Sequence, residues 1–265
     1  MKNKRFYGKG LPGVDPALLN GTLIIIEGSD GSGRSTQMGY LTNWLERKGF
    51  PTVNVGLKRS ELVGEALAEA MQGNTLNAIT LNLFYATDFA DQLERVMIPA
   101  LKAGFVVLAD RYIYTLMARD IVRGSSMDWL KEIYGFALEP DAVFYLNVTP
   151  KILAERHFSK SGLLDYWESG MDVQRAGGMY DNFIKYQTRL HRVFEALQKE
   201  YKFNTIQGNR RPASIAKDIR EKVERILADR SDRFKGIHKP EPTKNFDPDA
   251  AARALLAPGN QEKSN

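Results

Sequence analysis

The amino-acid sequence predicts an α/β fold with a five-stranded parallel sheet between two layers of helices. Three observations predict it. Five short runs of β-branched and other apolar residues recur along the chain. Segments of helical period separate them. Glycine, aspartate or a Thr-Pro turn stands at each run's end, where the next connection begins. Such alternation gives parallel βαβ units covered on both faces. Ligands on these sheets bind beyond the carboxyl ends of the strands.

The elements follow in order. Residues 1–20 are rich in Lys, Gly and Pro and have no period, which predicts an arm rather than core. TLIIIEG, from Thr22, is a buried strand. Residues 35–49 place Met38, Leu41, Trp44 and Leu45 on one helical face, and Gly49 ends that helix. PTVNV (51–55) is a second strand. Helices are expected at 61–72 and, longer and amphipathic, at 78–103. FVVLAD (105–110) is another buried strand, followed by a helical region near 114–136. DAVFYLNV (141–148) is the fourth strand. Thr149 is placed to cap the next helix, with Pro150 at its first position. Residues 159–178, rich in Gly and polar groups, predict a mobile segment. A long helix is expected at 179–201, a fifth strand in KFNTIQG and a last helix at 211–230. The chain therefore reads as an arm (1–20), one domain (21–230, with a lid at about 159–178) and a charged, loosely held tail (231–265).

Composition sets limits. The 265 residues carry 37 Lys+Arg against 32 Asp+Glu, a mild basic excess that suits an anionic ligand. No basic stripe with interleaved aromatics marks a nucleic-acid partner. Cysteine is absent, which excludes disulfides and thiolate metal sites. No run is long and apolar enough to span a membrane, and no signal peptide opens the chain. A soluble cytoplasmic protein is the expectation.

The chemistry concentrates at two strand ends. Gly28-Ser29-Asp30-Gly31-Ser32-Gly33-Arg34-Ser35-Thr36 fits the phosphate-loop pattern G-x-x-x-x-G-K-[ST] everywhere except at the lysine, which is Arg34. Glycines let backbone N–H groups turn around an anion, and the helix N-terminus adds partial positive charge. The Ser35 hydroxyl is a candidate Mg²⁺ ligand. The strand 105–110 ends in Asp110, followed by Arg111 and Tyr112. Asp110 can hold Mg²⁺, and Arg111 can neutralise a transferring phosphoryl group. The fold expected is thus of the P-loop NTPase type.

Together these segments resemble the thymidylate kinases over about residues 21–228. EGSDGSGRSTQ resembles the family's phosphate loop. KRSELVG (58–64), LFYAT (83–87), DRYIYT (110–115) and EPDAVFYLNVTP (139–150) resemble further family segments in the family's order. The resemblance implies a nucleoside monophosphate kinase that uses ATP and Mg²⁺ and forms a homodimer through long helices. Gly28 to Thr36, with Arg156, would hold the donor phosphates. Asp30 would approach the acceptor sugar. Arg59 and Arg111 would grip the acceptor phosphate, and Phe84 would stack on its base. Asp88, Tyr112, Thr115 and Asp120 complete the expected acceptor site; Arg34, Asp110 and Arg111 are the expected catalytic groups.

Besides Arg34, three positions depart from the family pattern. Asp88 stands where an arginine usually reads thymine; a carboxylate there would accept from a base amine, or pair with Arg119 or Arg123 instead. Tyr166 replaces a lid arginine in GLLDY (162–166), leaving Arg156, Lys160 and Arg175 as nearby cations. Gly31 stands where some branches place a loop arginine. A catalytically weak nucleotide-binding relative, a kinase with a non-thymine acceptor and a P-loop phosphotransferase for a non-nucleotide acceptor stay open as alternatives.

Overall fold

A computed structural model of the chain describes residues 4–73, 76–173 and 177–231. Strand β1 (Thr22–Glu27) leads through the glycine-rich loop into helix α1 (Arg34–Arg47). Strand β2 (Thr52–Gly56) is followed by α2 (Gly64–Gln72), α3 (Ala78–Gln92) and α4 (Ile98–Lys102). Strand β3 (Val106–Asp110) leads to α5 (Ile113–Val122) and α6 (Met127–Ile133). After β4 (Ala142–Asn147) come α7 (Pro150–Ser161), α8 (Met179–Tyr201), β5 (Asn204–Gln207) and α9 (Pro212–Ser231). The five strands form one sheet in the order β2-β3-β1-β4-β5, with every neighbouring pair parallel.

The two-residue period of the strands divides the core into two layers. Leu23, Ile25, Val107, Ala109, Val143 and Tyr145 pack with residues of α3, α5 and α8. Ile24, Ile26, Val106, Leu108, Phe144 and Leu146 face the other way, onto Met38, Leu41 and Leu45 of α1 and Ile215, Ile219 and Val223 of α9. Strands buried on both faces read as continuous apolar runs, as β1 does. Register sets Ile26 and Gly56 level with Asp110, so three strands end together beneath the glycine-rich loop.

Four expectations are revised. The region 114–136 is two helices rather than one. Gly124 adopts φ 100°, and the Ser126 hydroxyl caps α6 by accepting from Trp129 N at 3.2 Å. The helix expected at 78–103 is continuous but widens into π-helical turns at Leu93–Met97, just before Pro99, which has no N–H to donate and no room for the carbonyl four residues back. Among its described residues, 4–20, the N-terminal arm has neither strand nor α-helix, yet it lies on the core. Tyr7 N donates to Ala137 O at 2.9 Å and Glu139 N donates to Arg5 O at 2.8 Å. Phe6, Tyr7, Leu11 and Val14 pack against the larger layer, and Leu19 is buried within it. The segment 159–178 opens as the last turn of α7, which ends where Gly162 takes φ 70°. It then folds back on the domain, with Leu164, Glu168 and Ser169 buried. The tail beyond Ser231 lies outside the described residues.

Candidate functional site: a glycine-rich loop and an adjoining cleft

The loop between β1 and α1 has the backbone that a phosphate cradle requires. Gly28, Gly31 and Gly33 take φ 148°, 79° and 98°, a region that suits glycine. A Cβ at Gly28 would lie 2.7 Å from Ser32 Oγ and 3.1 Å from Leu146 O. Gly33 caps α1 without any side-chain bond to the first turn, so those N–H groups remain open to an anion. Ser35 and Thr36 are exposed on that turn, while the Ser32 hydroxyl is buried and unpartnered.

Arg34 folds across this loop. Its Nε donates to Asp110 Oδ1 at 2.6 Å, and Nη1 donates to Gly28 O at 2.5 Å and Ser29 O at 2.7 Å. Nη2 donates to Asp30 Oδ1 at 3.2 Å. Burial works against its charge, but Asp110 and Asp30 outweigh burial and raise its pKa. A second arginine braces the loop from outside. Arg156 on α7 donates to Gly31 O at 3.0 Å, Ser32 O at 3.3 Å and, through Nη2, Gly208 O at 2.9 Å.

Beside the loop lies a compact charge cluster. Arg111, at the end of β3, takes φ 73°, unusual for a residue with a Cβ. Its N–H donates to Ile26 O at 3.0 Å, its Nη2 meets Asp30 Oδ2 at 2.8 Å, and its buried Nε has no partner. Arg119 on α5 pairs with Glu168 and lies 3.7 Å from Asp30 Oδ2. Burial opposes ionisation of Asp30, yet Arg111, a hydrogen bond with Glu168, Arg34 and Arg119 together hold its pKa well below the usual carboxylate value. Glu168 goes the other way: burial first, then the Asp30 charge, push it up. Glu27, fully buried below, accepts from Tyr112 N at 2.9 Å and from Thr115 Oγ1 at 2.5 Å. It ties the start of α5 to the end of β1.

A cleft opens next to the cluster, lined by Leu81, Tyr85, Leu116, Asp120, Trp167 and the stems of Arg119 and Arg123. Burial raises the Asp120 pKa to about 6, and Asn82, Arg123 and Arg119 restrain the rise. Asn82 Nδ2 donates to Asp120 Oδ2. Arg119 on α5 and Arg123 at its C-terminal cap, one turn apart, pair with Glu168 and Asp172 of the segment after α7. These pairs hold Trp167 over the cleft.

The remaining expected residues fall as follows. Arg59 is exposed at the end of β2, its guanidinium over Gly56, where an added Cβ would lie 3.3 Å from its Cζ. Phe84 is half-buried against the core and is not among the cleft residues; Tyr85, about 100° further round α3, lines the cleft instead. Asp88 is fully buried and pairs with neither Arg119 nor Arg123. It accepts from Lys58 N at 2.8 Å and Ser60 N at 2.9 Å, because the turn between them has N–H groups that only a side chain can satisfy. Tyr112 and Thr115 make hydrogen bonds within the protein: Tyr112 OH donates to Leu138 O at 2.9 Å within the core, and Thr115 Oγ1 donates to Glu27. Arg175 lies outside the described residues. Tyr85, Arg119 and Trp167 line the cleft and Glu168 the charge cluster, but they carried no local motif that would single them out.

Known proteins share this arrangement of sequence. The sequence profile described as "Thymidylate kinase" matches residues 26–219. A relative from Saccharolobus solfataricus, "Probable thymidylate kinase 2", is 40% identical over 204 residues, 77% of this chain and 95% of its own length. "Probable thymidylate kinase" of Pyrococcus abyssi is 29% identical over 173 residues, 63% of this chain and 83% of its own. "Thymidylate kinase" of Thermosipho africanus is 34% identical over 139 residues, 50% of this chain and 69% of its own.

Proposed function

Because the chain belongs to the thymidylate kinase family, we propose that it transfers the γ-phosphoryl group of ATP to deoxythymidine monophosphate (dTMP). One observation carries this reading: the open glycine-rich loop adjoins an arginine cluster and an enclosed aromatic cleft, all at the carboxyl ends of β1, β2 and β3. Backbone N–H groups of residues 28–36 cradle the donor phosphates, with Arg156 fixing the outside of the loop. Arg59 and Arg111 receive the acceptor phosphate, Asp30 and Arg119 lie beside its sugar, and Tyr85 and Trp167 enclose its base.

An oxygen of the acceptor phosphate attacks the γ-phosphorus. The bond from that phosphorus to the β–γ bridging oxygen breaks, and ADP leaves. The attacking oxygen is already ionised, so the site needs positioning and charge neutralisation rather than a strong base. Arg34 and Arg111 supply fixed positive charge on either side of Asp30. The exposed hydroxyl of Ser35 and the Asp110 oxygen not taken by Arg34 are hard donors that fit Mg²⁺. When bound there, the ion neutralises phosphate charge.

The outward face of α3 carries Ile79 and Leu83, exposed by 64% and 49%. This apolar face is where two copies of the chain meet as a homodimer. Among the described residues no helix is long and apolar enough to cross a membrane, and work on a metabolic nucleotide fits the cytoplasm, which cell fractionation checks. The activity is tested by following ADP release with ATP, Mg²⁺ and dTMP. Sustained turnover that yields the diphosphate is expected. ATP binding without turnover of any nucleoside monophosphate would reject the kinase reading.

A further inference from the structure

We propose that Lys58 is a catalytic residue: its ammonium donates to the phosphoryl group as that group passes from donor to acceptor. The inference rests on the reading of the loop and the arginine cluster as a site of phosphoryl transfer, and it adds a moving cation to that site.

The turn after β2 is built to aim this side chain. Gly56 closes β2 level with Asp110. Two residues on, Lys58 takes φ 61°. That conformation is strained for a residue with a Cβ, whereas glycine takes it freely. The strain persists because neighbouring groups hold the main chain. Asp88 accepts from Lys58 N at 2.8 Å and from Ser60 N at 2.9 Å. Ser60 Oγ donates to Asp91 at 2.6 Å and accepts from Leu62 N at 3.0 Å and Val63 N at 3.2 Å. Gly64 packs against the turn, where an added Cβ would lie 3.1 Å from Lys58 O. None of these contacts uses the Lys58 side chain, which is exposed and forms no ion pair among the described residues. The turn alone would favour glycine here, so the lysine serves something outside it.

The ammonium lies in the field of the charge cluster beside the loop. Partial burial first, then Arg119 and Arg111, lower its pKa, and Asp30 and Asp165 oppose them. Asp30 is already engaged by Arg34 and Arg111. Lys58 is thus left short of an anion, which a phosphoryl group supplies. Mobility separates it from the arginines. Four hydrogen bonds fix Arg34, and Asp30 holds Arg111 at 2.8 Å. A lysine carries a compact charge on a flexible stem. As the bond from the γ-phosphorus to the bridging oxygen breaks and the bond to the acceptor oxygen forms, charge spreads over the equatorial oxygens. Lys58 donates a hydrogen bond to one of these oxygens through the passage and keeps its proton.

The test compares wild type, Lys58→Met, Lys58→Arg and Lys58→Gly, each as the full chain with ATP, Mg²⁺ and dTMP. Lys58→Met is expected to lose about 100-fold in kcat, with KM for ATP and for dTMP within about threefold of wild type. Lys58→Arg restores the charge and should recover about 10-fold of that loss. Lys58→Gly relieves the turn and should be as slow as Lys58→Met. Mg²⁺ and ADP with aluminium fluoride and dTMP mimic the group in passage. By calorimetry Lys58→Met should bind that set about 100-fold more weakly than wild type, and ADP or dTMP alone equally well. Wild-type kcat in Lys58→Met overturns the proposal, as does a loss carried wholly by KM. Should Lys58→Met not fold, Lys58→Gly decides, and a Lys58→Gly chain as fast as wild type overturns it. Wild type that turns over no monophosphate rejects the kinase reading and this inference together, whereas turnover indifferent to Lys58 rejects this inference alone.

Discussion

Asp88 accepts from the backbone N–H groups of Lys58 and Ser60 and so fixes the turn that carries Arg59. Lys58 takes φ 61°, a conformation a side chain resists, and the buried carboxylate is what holds it there. Removing the carboxylate takes the acceptor from the backbone N–H groups of Lys58, Arg59 and Ser60 and from Gln92 Nε2; a buried N–H left without a partner costs ~1–3 kcal/mol. Asp88→Ala is expected to lose ~2–4 kcal/mol in urea unfolding and to raise KM for the acceptor more than KM for ATP, because Arg59 loses its position. An unchanged acceptor KM would show that the turn does not serve the acceptor phosphate. None of this was legible in the sequence. Asp88 lies in a family-like segment and reads as a ligand contact, whereas its partners are main-chain groups about 30 residues away. Phe84 and Tyr85 pose the same problem on one helix, since local sequence does not fix which of two adjacent aromatics turns to the cleft. The glycine pattern around Arg34 was legible because it is local: spacing alone implies the turn. Arg119 and Glu168 were not, since their pairing spans 49 residues.

At the scale of elements, the face of α3 makes the proposed assembly testable. Ile79 and Leu83 stand four residues apart and present adjoining side chains. In a two-fold interface each residue recurs on both subunits, so one substitution places two charges in the contact. Leu83→Glu is expected to convert the dimer to monomer in sedimentation equilibrium with the fold intact by circular dichroism. A wild-type protein that is monomeric at micromolar concentration, or a variant that still dimerises, removes the assembly. Elements themselves were mostly readable, because β1 and α1 advertise their periods in a few consecutive residues. The break after α5 was less so: Gly124 and the Ser126 cap are weak signals inside an apolar, helical stretch. The arm was misread for a physical reason. Its Phe6 and Tyr7 have no period, and the groups that hold them, Ala137 O and the rings of Tyr114 and Tyr201, are remote in sequence.

For the whole molecule, buried carboxyl groups shape stability against pH. Burial raises the pKa of Glu27, Asp88, Asp120 and Glu168, while its arginine neighbours hold Asp30 low. The two kinds act in opposite directions. A carboxyl whose folded pKa is raised stabilises the fold fully below its unfolded pKa and loses that contribution as pH climbs through the folded pKa. Asp30 contributes above its unfolded pKa and loses that contribution as pH falls through its low folded pKa. With four groups of the first kind, the stability optimum should lie on the acidic side of neutrality. Asp120 gives the clearest window, from its ordinary 3.8 to about 6. A difference of that size corresponds to on the order of 3 kcal/mol. Between pH 4 and pH 6.5 the wild type should therefore lose stability relative to Asp120→Asn, whose amide does not titrate. Below pH 4 the two should weaken together as Asp30 protonates in both. Urea unfolding of the pair across pH 3–8 reads the difference directly. Parallel curves from pH 4 to pH 6.5 would mean that Asp120 meets water in the folded state, and the enclosed cleft would then be no barrier to solvent.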